Sequence, residues 1–163
     1  MNFRMLHRLG FAGIALALLV VTGVATTPAY AAKAVKVVVG TSDIAPPGTD
    51  ANFSMIAEVD KYGNVSGTWT DSFGQNGRIQ ARVTCVWVDG NRAWIKGTVT
   101  NEANSFFIGA DALTSVVDGG GPGGTGDFIS FTALGPPGGI PDCSTEMALP
   151  LVAFGGGNVS IKQ

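Results

Sequence analysis

Past residue 31 the sequence contains no histidine, because the single one in the chain is His7. That absence removes Ser-His-Asp and Cys-His catalysis, imidazole acid–base chemistry and every histidine-containing metal site from the body of the protein. Serine is present, yet no G-x-S-x-G elbow surrounds it, so the nucleophile turn of the α/β-hydrolases is missing too. Neither Asp-Thr-Gly nor Asp-Ser-Gly occurs, which excludes the aspartic-protease pattern. Glycosidases need two carboxylates roughly 5–9.5 Å apart across a cleft. Glu58, Glu102 and Glu146 have no spacing that selects a pair. The expectation is a non-catalytic protein without an organic cofactor.

Charge is equally scarce, at 13% of residues. The basic residues are scattered, and the balance is acidic, so nothing draws the chain to nucleic acid or to an anionic membrane. A dense apolar run occurs only near the start. Arg4, His7 and Arg8 precede an uncharged stretch from Phe11 through Val21, and Pro28 leads into Ala29-Tyr30-Ala31. This is the plan of a cleavable secretory leader ending at an A-x-A site. An uncleaved anchor is the alternative, but the run is shorter than the roughly 20 residues that a span requires. No cysteine lies near the site, no twin-arginine pair is present, and Ile161-Lys162-Gln163 is not an apolar tail. The expected organisation is a signal peptide over residues 1–31 and one secreted or periplasmic domain over residues 32–163, without membrane insertion after cleavage. Losing the leader removes two basic residues and no acidic one, which leaves a net charge of −4.

Only two cysteines are present, Cys85 and Cys143. In an oxidising compartment an isolated pair reads as a disulfide, with two free buried thiols as the alternative. The loop it closes, roughly 59 residues, is worth about 4 kcal/mol on the chain-entropy model. Two thiolates alone do not make a structural zinc site.

Helical periodicity is also missing, and 24 glycines oppose helices. Short alternating runs separated by turn residues predict an all-β domain: a sandwich of seven or eight strands, or alternatively a small barrel. Lys33 to Val39 begins it, followed by a loop from Ser42 to Asp50. In a first hairpin, an odd-length loop from Asp60 to Asn64 sets Val59 opposite Val65 and Met55 opposite Trp69. In a second, Ile79, Ala81, Val83, Cys85 and Trp87 alternate on one face against Ala93, Ile95, Gly97 and Val99. A two-residue turn at Asp89-Gly90 or Gly90-Asn91 would set these apolar residues against polar ones. A three-residue loop, Asp89-Gly90-Asn91, pairs Cys85 with Ile95 and Val83 with Gly97, and is therefore preferred over the usual two-residue turn. Ala112 to Val117, Phe128 to Ala133 and Val159 to Ile161 complete the strands.

Two features carry candidate chemistry. Asp118 and Asp127 bound a glycine-dominated loop in which Gly123-Gly124-Thr125-Gly126-Asp127 is near the calcium-binding G-G-x-G-x-D repeat, with its aspartate one residue early. They are candidate calcium ligands, the alternative being solvated carboxylates on a surface loop. Trp94 falls on the outward face of its strand, where it could stack a sugar ring or lie under a loop or a partner. Trp69 and Trp87 fall inward, as core.

Val83-Thr84-Cys85-Val86, Asp89-Gly90-Asn91 and Gly97-Thr98-Val99-Thr100 resemble the core of a group of small exported bacterial all-β proteins. Val117-Asp118-Gly119, Asp127-Phe128-Ile129-Ser130-Phe131 and Gly157-Asn158-Val159 extend the likeness over roughly residues 51 to 162. The resemblance implies a secreted β-module, sometimes a repeat or appendage, and transfers no functional residue. The function expected is structural, adhesive or interacting, toward an extracellular glycan or surface protein. The alternatives are a carbohydrate-binding module built on Trp94 and a calcium-dependent surface protein.

The A-x-A site makes a direct prediction. Mass spectrometry of the exported protein should give an N-terminus at Ala32, whereas full-length chain in the membrane fraction would contradict the leader reading.

Overall fold

A computed structural model describes residues 33–42, 51–73, 77–102, 106–121, 126–153 and 155–163. The leader, its cleavage site and the 43–50 part of the first loop lie outside the described residues. Ten strands occur among them: β1 (Val35–Ser42), β2 (Ala51–Val59), β3 (Val65–Phe73), β4 (Arg78–Asp89), β5 (Arg92–Glu102), β6 (Asp111–Val117), β7 (Phe128–Ser130), β8 (Ala133–Gly135), β9 (Leu151–Ala153) and β10 (Gly156–Lys162). One 3-10 turn, Cys143–Thr145, is the only helical piece there.

The all-β class expected from the sequence is the class adopted. Its strands join one continuous antiparallel sheet curled into a half-barrel, nearer to the small barrel named as the alternative than to the two stacked layers of a sandwich. The order is β10-β1-β2-β3-β4-β5-β6-β7-β9, with β8 also on β6. The reason is connectivity: β1 through β6 are a meander of neighbours, so no strand is handed to a second layer. Curling then lets the sheet bury its own inner face. Gly67 and Gly97 face inward, and a side chain at Gly97 would meet the Trp69 ring at 3.0 Å. Trp69, Phe53, Ile95, Val37, Val99, Val116 and Ile129 fill the interior at 2% exposure or less. Each such side chain contributes about 1.5–3 kcal/mol.

The first hairpin has the predicted register, with Val59 opposite Val65 and Met55 opposite Trp69. Asp60 organises its turn, accepting from the Tyr62 and Asn64 amides at 2.8 and 2.9 Å and from the Asn64 side chain at 2.8 Å. These donors, the Asn64 side chain foremost, hold its carboxyl below the ordinary value.

The second hairpin differs from the expected one. Asp89 pairs with Arg92 around the two-residue turn Gly90-Asn91, and Trp87 lies opposite Trp94, Val86 opposite Ile95, and Cys85 opposite Lys96. Further along, Val83 pairs with Gly97, as expected, and Arg82 with Thr98. Both halves hold because the register shifts between Val83 and Cys85, where Thr84 is the extra residue of a β-bulge. One extra residue inverts the faces beyond it. Val86 and Val88 continue the inner core, while Cys85 and Trp87 turn outward. The run expected as one strand from Phe128 to Ala133 likewise divides into β7 and β8, with Phe131 exposed between them.

A half-barrel has edges whose unpaired amides need acceptors. On β10, Asp127 and Asp118 provide them. Asp127 accepts from the Val159 amide at 2.6 Å and from Gly119 at 2.7 Å, and Asp118 accepts from Ile161 at 2.9 Å and Gly120 at 2.8 Å. The two carboxylates thus tie the β6–β7 connection to the free side of β10. Asp127 is 2% exposed, and removing its side chain orphans two amides. Asp127→Ala should therefore cost about 3 kcal/mol in a urea titration, and Asp118→Ala, half-buried, distinctly less. Equal losses would contradict this account.

Candidate functional site

Outside the barrel, the segment from Gly135 to Pro150 lies as a strap over β4, β5 and β6. It has no periodicity of its own, so tertiary fasteners hold it. Ile140, Cys143 and Met147 pack on Trp94 and Leu113 to form a second, smaller core. Cys143 bonds covalently to Cys85, with Cα atoms 6.0 Å apart, as the cysteine count predicted. The bond lies on the outer face, not inside opposite Ile95, because the bulge rotates Cys85 outward. Trp94 Nε1 donates to the Met147 carbonyl at 3.0 Å, and Trp87 Nε1 to Glu146 Oε1 at 2.8 Å. Lys96 Nζ donates to the Ile140 carbonyl at 2.7 Å and pairs with Asp111 at 3.1 Å, while Asp111 accepts from the Ile140 amide at 3.3 Å. Because both partners are hydrogen-bonded to the strap, this largely buried ion pair is not left unsatisfied.

Trp94 is on the outward face as expected, but it is 5% exposed: the strap covers one side, and the Arg92 guanidinium stands 4.5 Å from its ring centroid. Its ring offers no open face to a sugar, which corrects the stacking expectation. Trp87, expected in the core, is instead 43% exposed, again through the bulge. Trp69 is core, as expected.

Asp118 and Asp127 come together at β10, not as a cage. All four of their oxygens receive backbone amides, whose positive ends occupy directions a calcium ion would need. Residues 122–125 of that loop lie outside the described residues.

Two features went unnoticed in the sequence. The first is the end of the barrel where residues 106–110 lead into β6. There Phe107 packs on the inner core, while Phe106, stacked edge-on against it with centroids 5.0 Å apart, is 82% exposed and Ile108 is 52% exposed. With Ala110, Leu134 and Pro136 they line a groove of about 460 Å³. Phe106-Phe107-Ile108 was the available signal, three large apolar residues in a connection.

The second is Asp71, which faces inward between Phe53 and Ile79 and is 6% exposed. Burial raises its pKa, partly offset by the bond from Thr132 Oγ1 at 2.6 Å.

No family model, curated protein or solved structure matches the chain.

Asp71 yields a prediction whose sign follows from linkage. The fold favours the protonated form, so its stabilisation is complete below the ordinary carboxylate value and is lost as pH rises through the raised one. Asp71→Asn keeps an acceptor for Thr132, and should raise Tm by a few degrees at pH 7 while flattening the fall of Tm with rising pH. An unchanged pH profile would show that Asp71 is not the group responsible.

Proposed function

We propose that the chain is an exported, non-catalytic β-domain that works by contact with another surface protein, through the apolar end of the barrel. One observation carries this reading: Phe106 and Ile108, two residues apart on the connection between β5 and β6, line the 460 Å³ groove and are largely exposed. Leaving two large apolar side chains in water serves no folding purpose, and clusters of this kind mark interaction sites. The acids support the same reading, since Asp71, Asp111, Asp118 and Asp127 are each engaged in framework contacts. The disulfide suits a non-reducing compartment, and with the leader it favours export.

A carbohydrate-binding role is the second reading, and Trp87 now supports it in place of Trp94. Its ring is 43% exposed, and its indole nitrogen is anchored by Glu146, as a fixed stacking platform requires.

A photoreactive benzoylphenylalanine at position 106, in cells exporting the protein, separates the two. A discrete protein adduct is expected at 106 and none at Tyr62, a control residue exposed on the opposite end. Phe106→Ser with Ile108→Ser should weaken binding to the identified partner by roughly tenfold or more without changing Tm. No adduct at 106, together with polysaccharide binding lost in Trp87→Ala, would replace the first reading by the second.

A further inference from the structure

The disulfide that fastens the strap belongs to a larger donor set. Cys85 Sγ, Cys143 Sγ and a carboxylate oxygen of Asp142 lie within 4.8 Å of one another. Asp142 Oδ1 is 3.2 Å from Cys85 Sγ. The carboxylate is held in place because Asp142 caps the 3-10 turn, its Oδ1 accepting from the Ser144 amide at 3.1 Å and the Ser144 hydroxyl at 3.0 Å. Cys143 is 1% exposed, Cys85 is half-buried and Asp142 is exposed, so the cluster is fixed at its base and open to solvent on the carboxylate side.

We propose that, once the disulfide is reduced, Cys85, Cys143 and Asp142 bind a thiophilic divalent cation of zinc's class, with water in the fourth position. Two thiolates and one carboxylate are ligands that a tetrahedral zinc ion accepts, and three protein ligands plus solvent make an open site. On zinc, with Zn–S bonds of about 2.3 Å, two sulfurs stand about 3.8 Å apart. Side-chain rotation reaches that separation from Cα atoms 6.0 Å apart. Lys96, across the ladder from Cys85, is already paired with Asp111, so the ligand set keeps its own negative charge for the cation. The chemistry balances: a dithiol or phosphine supplies two electrons, two protons convert the disulfide to two thiols, and metal binding releases both protons as the thiolates coordinate. The ion then takes over the disulfide's work, holding the strap on Trp94 by coordination. This inference does not depend on what the apolar end binds.

The test uses the mature chain reduced with a phosphine and titrated with Co²⁺ and then Zn²⁺ alone. The expected result is one Co²⁺ per chain, with a thiolate-to-cobalt charge-transfer band and tetrahedral visible bands, all displaced by Zn²⁺. Zn²⁺ should also restore most of the Tm lost on reduction. Asp142→Asn should keep the Tm of the oxidised protein yet weaken the metal roughly tenfold or more when reduced. Circular dichroism covers loss of folding: a reduced chain that unfolds without metal and refolds with it supports the site, and one unfolded in both conditions overturns it. Absence of the charge-transfer band, binding that survives Cys85→Ser with Cys143→Ser, or an Asp142→Asn affinity equal to wild type would also overturn it.

Discussion

One unpaired residue, Thr84, decides what lies on each side of the barrel wall. Before it, β4 sends Ile79, Ala81 and Val83 inward; after it, Val86 and Val88 take over. A strand has a side-chain period of two, so a continuous inner face across an added residue requires the following side chains to exchange sides. Cys85 and Trp87 are the ones exchanged. Without the bulge the Cys85 sulfur would lie among core residues, out of reach of the strap, and Trp87 would crowd an interior that Trp69 and Phe53 already occupy. With it, the covalent fastener and an anchoring indole face the same strap. The bulge thus couples a tight turn, a filled core and a covered outer face.

The edges are handled by a different device. Among the described residues β10 has a strand partner only on its β1 side, and two carboxylates from the β6–β7 connection act as acceptors on the other. A side-chain acceptor cannot continue a ladder, so these groups close the fold at one point without recruiting another strand. That makes them the opposite of a flat edge, which invites pairing with a second chain. It also accounts for acidic residues beside glycines, where amides can approach a carboxylate closely.

How far the sequence could be read depended on whether a signal was local. The bridge was legible because two cysteines allow only one pairing and the leader expected at the start of the chain sends them to an oxidising compartment. The first hairpin was legible because its odd loop and its alternation agree. In the second hairpin they conflict: Gly90-Asn91 demands a two-residue turn, and the alternation of Val83 with Gly97 demands a register that such a turn forbids. The conflict was itself the trace of a bulge, but Thr84 is an ordinary strand residue and nothing in it marks the position. Trp94 was correctly read as outward-facing, and its cover was invisible because the strap has glycine and proline in place of a pattern. Buried Asp71 and Asp127 could not be told from solvated aspartates, since their environment comes from strands distant in sequence. Turn spacing likewise cannot distinguish two stacked sheets from one curled sheet.

The pairing of β1 with β10 has a mechanical consequence. The strands are antiparallel and Lys36 lies opposite Lys162, so the start of one and the end of the other sit together, with Lys33 Nζ 3.3 Å from Gln163 Oε1. Tension applied across those two ends meets the ladder as a zipper. It parts one residue pair at a time, beginning at Lys162, instead of loading all the pairs in shear. β10 peels first and releases Ile161 and then Val159 from their carboxylates, while the disulfide, joining residues 85 and 143, stays out of the path of the early extension. As a link in a chain, the domain would yield at low force from one strand and keep its cross-linked middle intact.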